Sequence, residues 1–259
     1  MDINNNKDSR GRKFLFQPIC SAQSGGLVEL QVIPELEGFR GRSANDRMDG
    51  HLFGHTEHSQ RVDAEKALDA QAIEFFYQWS ATFLREDVGF LIGLPLSLET
   101  GLSEFFVDWV SDLAKDHKIG PEHIVFHLHE TDYLYNSEVP ALIQDLSNAG
   151  FGISVDCFLA DGPHFEILSS PHVGFIGCNR LVANSALESD VKWRYLLGLV
   201  ALAEKLNKQI VLNGVDTEQQ LALIRKLEGV WFQGAMAGSC FSPEELTSYL
   251  TDSSGTEKG

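Results

Sequence analysis

Short β-rich runs alternate along this chain with longer amphipathic runs, and that alternation restricts the folds open to it. The strand-forming runs are KFLFQPI (13–19), LVELQVI (27–33), GFLIGL (89–94), HIVFHL (123–128), FGISVD (151–156), VGFIG (173–177), QIVLN (209–213) and VWFQ (230–233). Helix-period runs lie between them at 63–85, 100–116, 138–149, 191–207, 217–227 and 243–250. In the first of these, Leu68, Ala72, Phe75, Phe76, Trp79 and Phe83 recur at three- and four-residue steps and form one apolar face. Phe75, Phe76 and Trp79, with Phe106 and Trp109, are expected in the core. Two helix starts carry capping boxes, Thr217 with Gln220 and Ser242 with Glu245.

Only CSAQSGG separates the first two strands. That is too short for a helical crossover, so they should form an antiparallel hairpin. Thereafter strand follows helix repeatedly, which gives a parallel sheet covered by helices. About eight strands suggest closure into a modified (β/α)8 TIM-like barrel with its first strand antiparallel. An open doubly wound sheet is the alternative. The barrel domain is expected over 13–251, with disordered tails at 1–12 and 252–259 and a long loop at 34–62.

Composition narrows the function. The 259 residues include 37 acidic and 20 basic side chains, a formal net charge of −17 that opposes phosphate backbones and anionic lipid surfaces. Neither nucleic acid nor a membrane is an expected partner. Cys20, Cys157, Cys178 and Cys240 have no paired spacing, so neither a zinc knuckle nor a disulfide framework is suggested, and a cytoplasmic location fits. The N-terminal MDINNNKDSRGRK has no apolar core of the kind a secretion signal needs.

FQPI (16–19), GFGISVDCF (150–158), LNGVDTEQQ (212–220) and WFQG (231–234), taken in order, resemble the EAL-domain family of bacterial cyclic diguanylate phosphodiesterases. FQPI (16–19) is similar to the family's opening strand, and GFGISVDCF (150–158) to the segment ending in its Asp-Asp-Phe. LNGVDTEQQ (212–220) is similar to its Ala-Glu-Gly-Val-Glu-Thr signature, and WFQG (231–234) to its late Gln-Gly. The resemblance implies a barrel whose first strand is antiparallel. It also implies a site at the C-terminal strand ends, where two divalent cations activate water to cleave one phosphodiester bond.

Residue by residue, the resemblance places altered side chains at that site. The Glu-Ala-Leu glutamate falls on Gln31, the next ligand asparagine on Gly93, and a metal-binding glutamate on His127, while a later glutamate remains as Glu130. Asp156 keeps the first aspartate of Asp-Asp-Phe and Cys157 replaces the second. Gly177 stands for the water-orienting lysine and Asn179 for an aspartate. Asn213 replaces a glutamate, and Asp216 shortens another. In this alignment Asp156 is left as the site carboxylate, too little anionic oxygen for a pair of magnesium or manganese ions.

These positions lead to the expectation that the chain is not an enzyme, takes no cofactor and acts as a regulatory adaptor that binds another protein. Cyclic diguanylate binding is the alternative, through Gln17, Asp156 and Gln233, although Glu35 stands where the family uses an arginine toward phosphate. A phosphodiesterase of altered metal or substrate preference is the third reading. His127 with Asp156 is a weak candidate for a softer metal, and Cys157 with His127 or His129 for a nucleophile and its base. His51, His55 and His58 fall on a predicted loop, where spacing fixes no geometry. The loop after Asp156 matches the family poorly, leaving a monomer or a homodimer open.

Overall fold

A computed structural model describes residues 13–35, 69–80, 89–159, 164–246 and 248. The tails, most of the 34–62 loop with His51, His55 and His58, and the Leu68 and Phe83 positions lie outside them, and no side chain is described at Glu35. The eight strands close into a barrel in chain order. They are β1 (Lys13–Ser21), β2 (Leu27–Glu35), β3 (Leu91–Pro95), β4 (Ile124–His129), β5 (Gly152–Phe158), β6 (Phe175–Cys178), β7 (Gln209–Leu212) and β8 (Val230–Gln233).

β1 is antiparallel to both β2 and β8, and every other pairing is parallel. Lys13 pairs with Glu35, so β1 begins at the rim where the parallel strands end. The expected hairpin and closed barrel are both present, and the open sheet is excluded.

Helices flank the strands: α1 over 69–80, α2 (Leu98–Gly101), α3 (Phe106–Asp116), α4 (Glu130–Tyr135), α5 (Val139–Asn148), α6 (Phe165–Ser169), α7 (Arg180–Glu188), α8 (Asp190–Lys205) and α9 (Glu218–Ile224). Strand side chains alternate between two apolar or polar layers. On β4, Ile124, Phe126 and Leu128 join the outer core, with Phe126 set edge-on to Phe106 and Phe151 at 5.8 and 5.3 Å. On β1, Phe14 stacks on Phe75 at 4.9 Å and Phe16 meets Trp79 at 4.6 Å, which seats α1 against the first strand. Buried Asp69 accepts from the Ser97 N–H at 2.7 Å and ties α1 to the start of α2.

The opposite strand faces point into the barrel, and there the packing changes from hydrocarbon to polar. Glu29, Gln31, His127, Ser154, Asp156, Asn213 and Gln233 are all buried. Both predicted capping boxes form: Thr217 and Gln220 satisfy each other's backbone at α9, and Ser242 and Glu245 do the same downstream.

Candidate functional site

Glu29 and Gln31 are two residues apart on β2, so the strand's period of two turns both side chains inward. Gly93, beside Gln31 on β3, contributes no side chain. His127 enters that space from β4. Its Nε2 lies 2.6 Å from Glu29 Oε1 and its Nδ1 lies 2.9 Å from Asp156 Oδ2. An ionised carboxylate only accepts, so against two of them the ring carries a proton on each nitrogen. Burial by itself works against that charge. The facing carboxylates of Asp156 and Glu29, with their hydrogen bonds, outweigh it and push His127 up to about 10.

The second Asp156 oxygen accepts from Ser154 Oγ at 2.9 Å, which fixes the carboxylate's orientation. Nearer the seam, Gln233 Nε2 donates to Gln31 Oε1 at 2.7 Å, joining β8 to β2 across the intervening β1. Gln17, at 7% exposure, holds its Oε1 without a hydrogen-bond partner among the described residues, and so does Glu29 Oε2.

Two glycines make the arrangement possible. A Cβ on Gly93 would run into the Glu29 carboxylate and lie 2.7 Å from His127 Nε2. A Cβ on Gly177 would press on the Asp156 carboxylate, 3.0 Å from its Cγ. Gly93→Ala is therefore expected to cost about 1–3 kcal/mol by forcing the histidine and glutamate apart. A urea titration checks it, and an unchanged midpoint would show that the barrel interior accepts a methyl group there.

The remaining sequence candidates separate into different roles. Asn179 is the N-cap of α7, its Oδ1 accepting from Leu181 N at 2.9 Å. Asp216 accepts from Ala235 N at 2.9 Å, faces Arg180 at 3.5 Å, and is half-exposed. Cys157 is buried on a bulge between Asp156 and Phe158, with φ +63. Neither proposed base reaches toward it as a free base. Both His127 nitrogens face carboxylates, and His129 caps α4 through Nδ1 and Thr131. Cys178, on β6, is held as a thiol by burial, with Glu130 and Asp156 adding to the effect, and is pushed up to about 12. Asn213 is buried at the end of β7.

Sequence reasoning missed Glu29. The alignment fixed attention on Gln31, although a glutamate in the apolar run LVELQVI, on the same face as Gln31, was the available signal. The count that left Asp156 as the site carboxylate is corrected accordingly: Glu29 brings a second buried carboxylate to the centre, and Glu130 is also buried.

Comparison with known proteins places the barrel. The EAL domain profile matches residues 2–239. The chain belongs to the EAL-domain family. This EAL domain is 24% identical over 171 residues to the probable cyclic di-GMP phosphodiesterase PdeA of Escherichia coli, covering 66% of this chain and 24% of PdeA. It is 26% identical over 141 residues to the bifunctional diguanylate cyclase/cyclic di-GMP phosphodiesterase MucR of Pseudomonas aeruginosa, covering 54% and 21%. The chain thus spans about a quarter of the length of these curated relatives.

Among solved structures, the EAL domain of Mycobacterium smegmatis DcpA superposes with a TM-score of 0.74 at 14% identity, covering 93% of this chain and 98% of the other. The MucR phosphodiesterase in complex with c-di-GMP gives 0.71 at 21% identity, covering 91% and 99%.

These findings overturn the expectation that the chain is not an enzyme. The curated relatives of this EAL domain are named as phosphodiesterases, and membership points to an enzyme family. The expectation had rested on the side chains that stand at the family's site positions, among them Gln31, Gly93, His127, Cys157 and Asn213.

The residues present do not fit the two divalent cations that the family resemblance implies. Magnesium requires several anionic or carbonyl oxygens in near-octahedral array. Here the His127 ring occupies the space between the two carboxylates, with each of its nitrogens within hydrogen-bond distance of one of them, so both are engaged where free ligand oxygens are needed. Among the described residues no group of three or more His, Cys, Asp or Glu is disposed to hold a metal ion. Nor, among them, is any helix long and apolar enough to cross a membrane.

Proposed function

We propose that this EAL domain serves cyclic diguanylate signalling as a regulatory barrel whose output is contact with another protein. One observation carries the reading: the family scaffold is whole, while His127 sits between Glu29 and Asp156 where the resemblance puts metal ions. Exposed apolar side chains give it further support. Val191 at 76% and Tyr195 at 50% lie on α8, and Leu181 and Leu187 are exposed on the adjoining α7. The acidic chain, at −17, would steer toward a basic protein. All four cysteines are free and three are buried, which supports a reducing, cytoplasmic setting.

Affinity capture from the native cell, repeated with Val191→Asp/Tyr195→Asp, tests this. The natural chain should recover a protein that rebinds from purified components, more weakly as salt rises, and the variant should lose it. Recovery of the chain alone at every salt concentration, with a small molecule released on denaturation, would reject the reading.

A second reading, cyclic diguanylate binding in the barrel mouth, draws on Gln17 and its unpartnered buried oxygen among the described residues. A solved EAL structure of similar fold contains that ligand. Calorimetry discriminates the two, because a dissociation constant below about 10 μM, near −7 kcal/mol, would place this reading first.

A further inference from the structure

We propose that the cleft between Glu29 and Asp156 is a site for a planar organic cation with two opposed N–H donors, filled from within the chain by the His127 imidazolium. This goes beyond the regulatory reading and does not depend on it.

The geometry carries the assignment. Glu29 reaches inward from β2 and Asp156 from β5, so the carboxylates approach the ring from opposite sides, at 2.6 Å on Nε2 and 2.9 Å on Nδ1. Both carboxylates are buried, at 0% and 4% exposure, and a cation between them relieves the cost of holding two such groups away from water. Ser154 Oγ holds the far oxygen of Asp156, which leaves Oδ2 directed at the ring. The adjoining strands are cut back to match. Gly93 leaves room for the Nε2 contact, and Gly177 leaves room for the Asp156 carboxylate.

A divalent ion in the same cleft would find the Glu29 and Asp156 carboxylates each already engaged by the ring. Gln31 Oε1, the nearest substitute by alignment, is already engaged by Gln233. An imidazolium needs two acceptors in its plane and no more. The cleft therefore selects for shape and donor count as well as for charge, and the ring stands where the resemblance puts metal ions.

His127→Gly in the full chain tests this by leaving the cleft open to added imidazole. Millimolar imidazole at pH 6.5 should raise the melting temperature of the variant by about 5 °C and leave the natural chain unmoved. Manganese and magnesium should do neither. Stabilisation of either protein by manganese or magnesium would overturn the proposal, as would an imidazole response no larger in the variant than in the natural chain.

If His127→Gly does not fold, nitrogen-15 NMR of the natural chain at pH 8 decides. Two protonated ring nitrogens at His127 support the site, and a neutral ring overturns it.

Discussion

His127→Gln is expected to lower folding stability by about 3–5 kcal/mol, the loss typical of removing one partner from a buried charge group. Glutamine matches part of the ring's volume and offers one donor group. It brings no charge to set against Glu29 and Asp156, both within hydrogen-bond distance of His127. The variant thus leaves two carboxylates facing each other in the barrel interior. A urea denaturation series measures the effect. Adding Glu29→Gln to the variant should recover part of the loss, because it removes one of the two uncompensated charges. A cost for His127→Gln below about 1 kcal/mol would mean that the carboxylates are screened by something other than the imidazolium.

The second large effect is on pH dependence. His127 is held near 10 in the folded chain against 6.5 for an ordinary histidine. A raised folded value means that the native state binds the proton more tightly than the unfolded chain. Its stabilisation is complete below pH 6.5 and drains away as pH climbs toward 10. Between pH 7 and 9 stability should fall by up to about 1.4 kcal/mol per pH unit, or about 2–3 kcal/mol across that window.

Groups facing His127 are Glu29 from β2 and Asp156 from β5, with Cys178 on β6 coupled to Asp156. The Cys178 thiol, displaced upward from 9, acts in the same direction but only above pH 9. Measuring urea midpoints from pH 6.5 to 9 isolates the histidine, and the slope should vanish in His127→Gln. A flat profile in the natural chain would contradict the doubly protonated ring.

Much of the barrel was legible because its strands are short apolar runs ended by turn residues, and because CSAQSGG leaves no room for a crossover. The helices α4, α6 and α7 were not. α4 and α6 span six and five residues, too few for a helical period to declare itself. α7 starts from Asn179, which the alignment had reserved for the site, so its capping role was hidden.

The site was legible as a set of substitutions but not as an arrangement. Gly93 and His127 read separately as losses. Together they form one change, since the absent side chain on β3 makes room for the ring from β4 and for Glu29 beneath it. Pairing across strands brings residues 98 positions apart into contact, which no local pattern encodes.

The direction of β1 has a practical bearing on how this barrel is handled. Because that strand enters at the rim and descends between β2 and β8, the backbone at Lys13 stands beside the opening itself. A fluorophore attached at residue 13 itself would report on whatever arrives at that entrance.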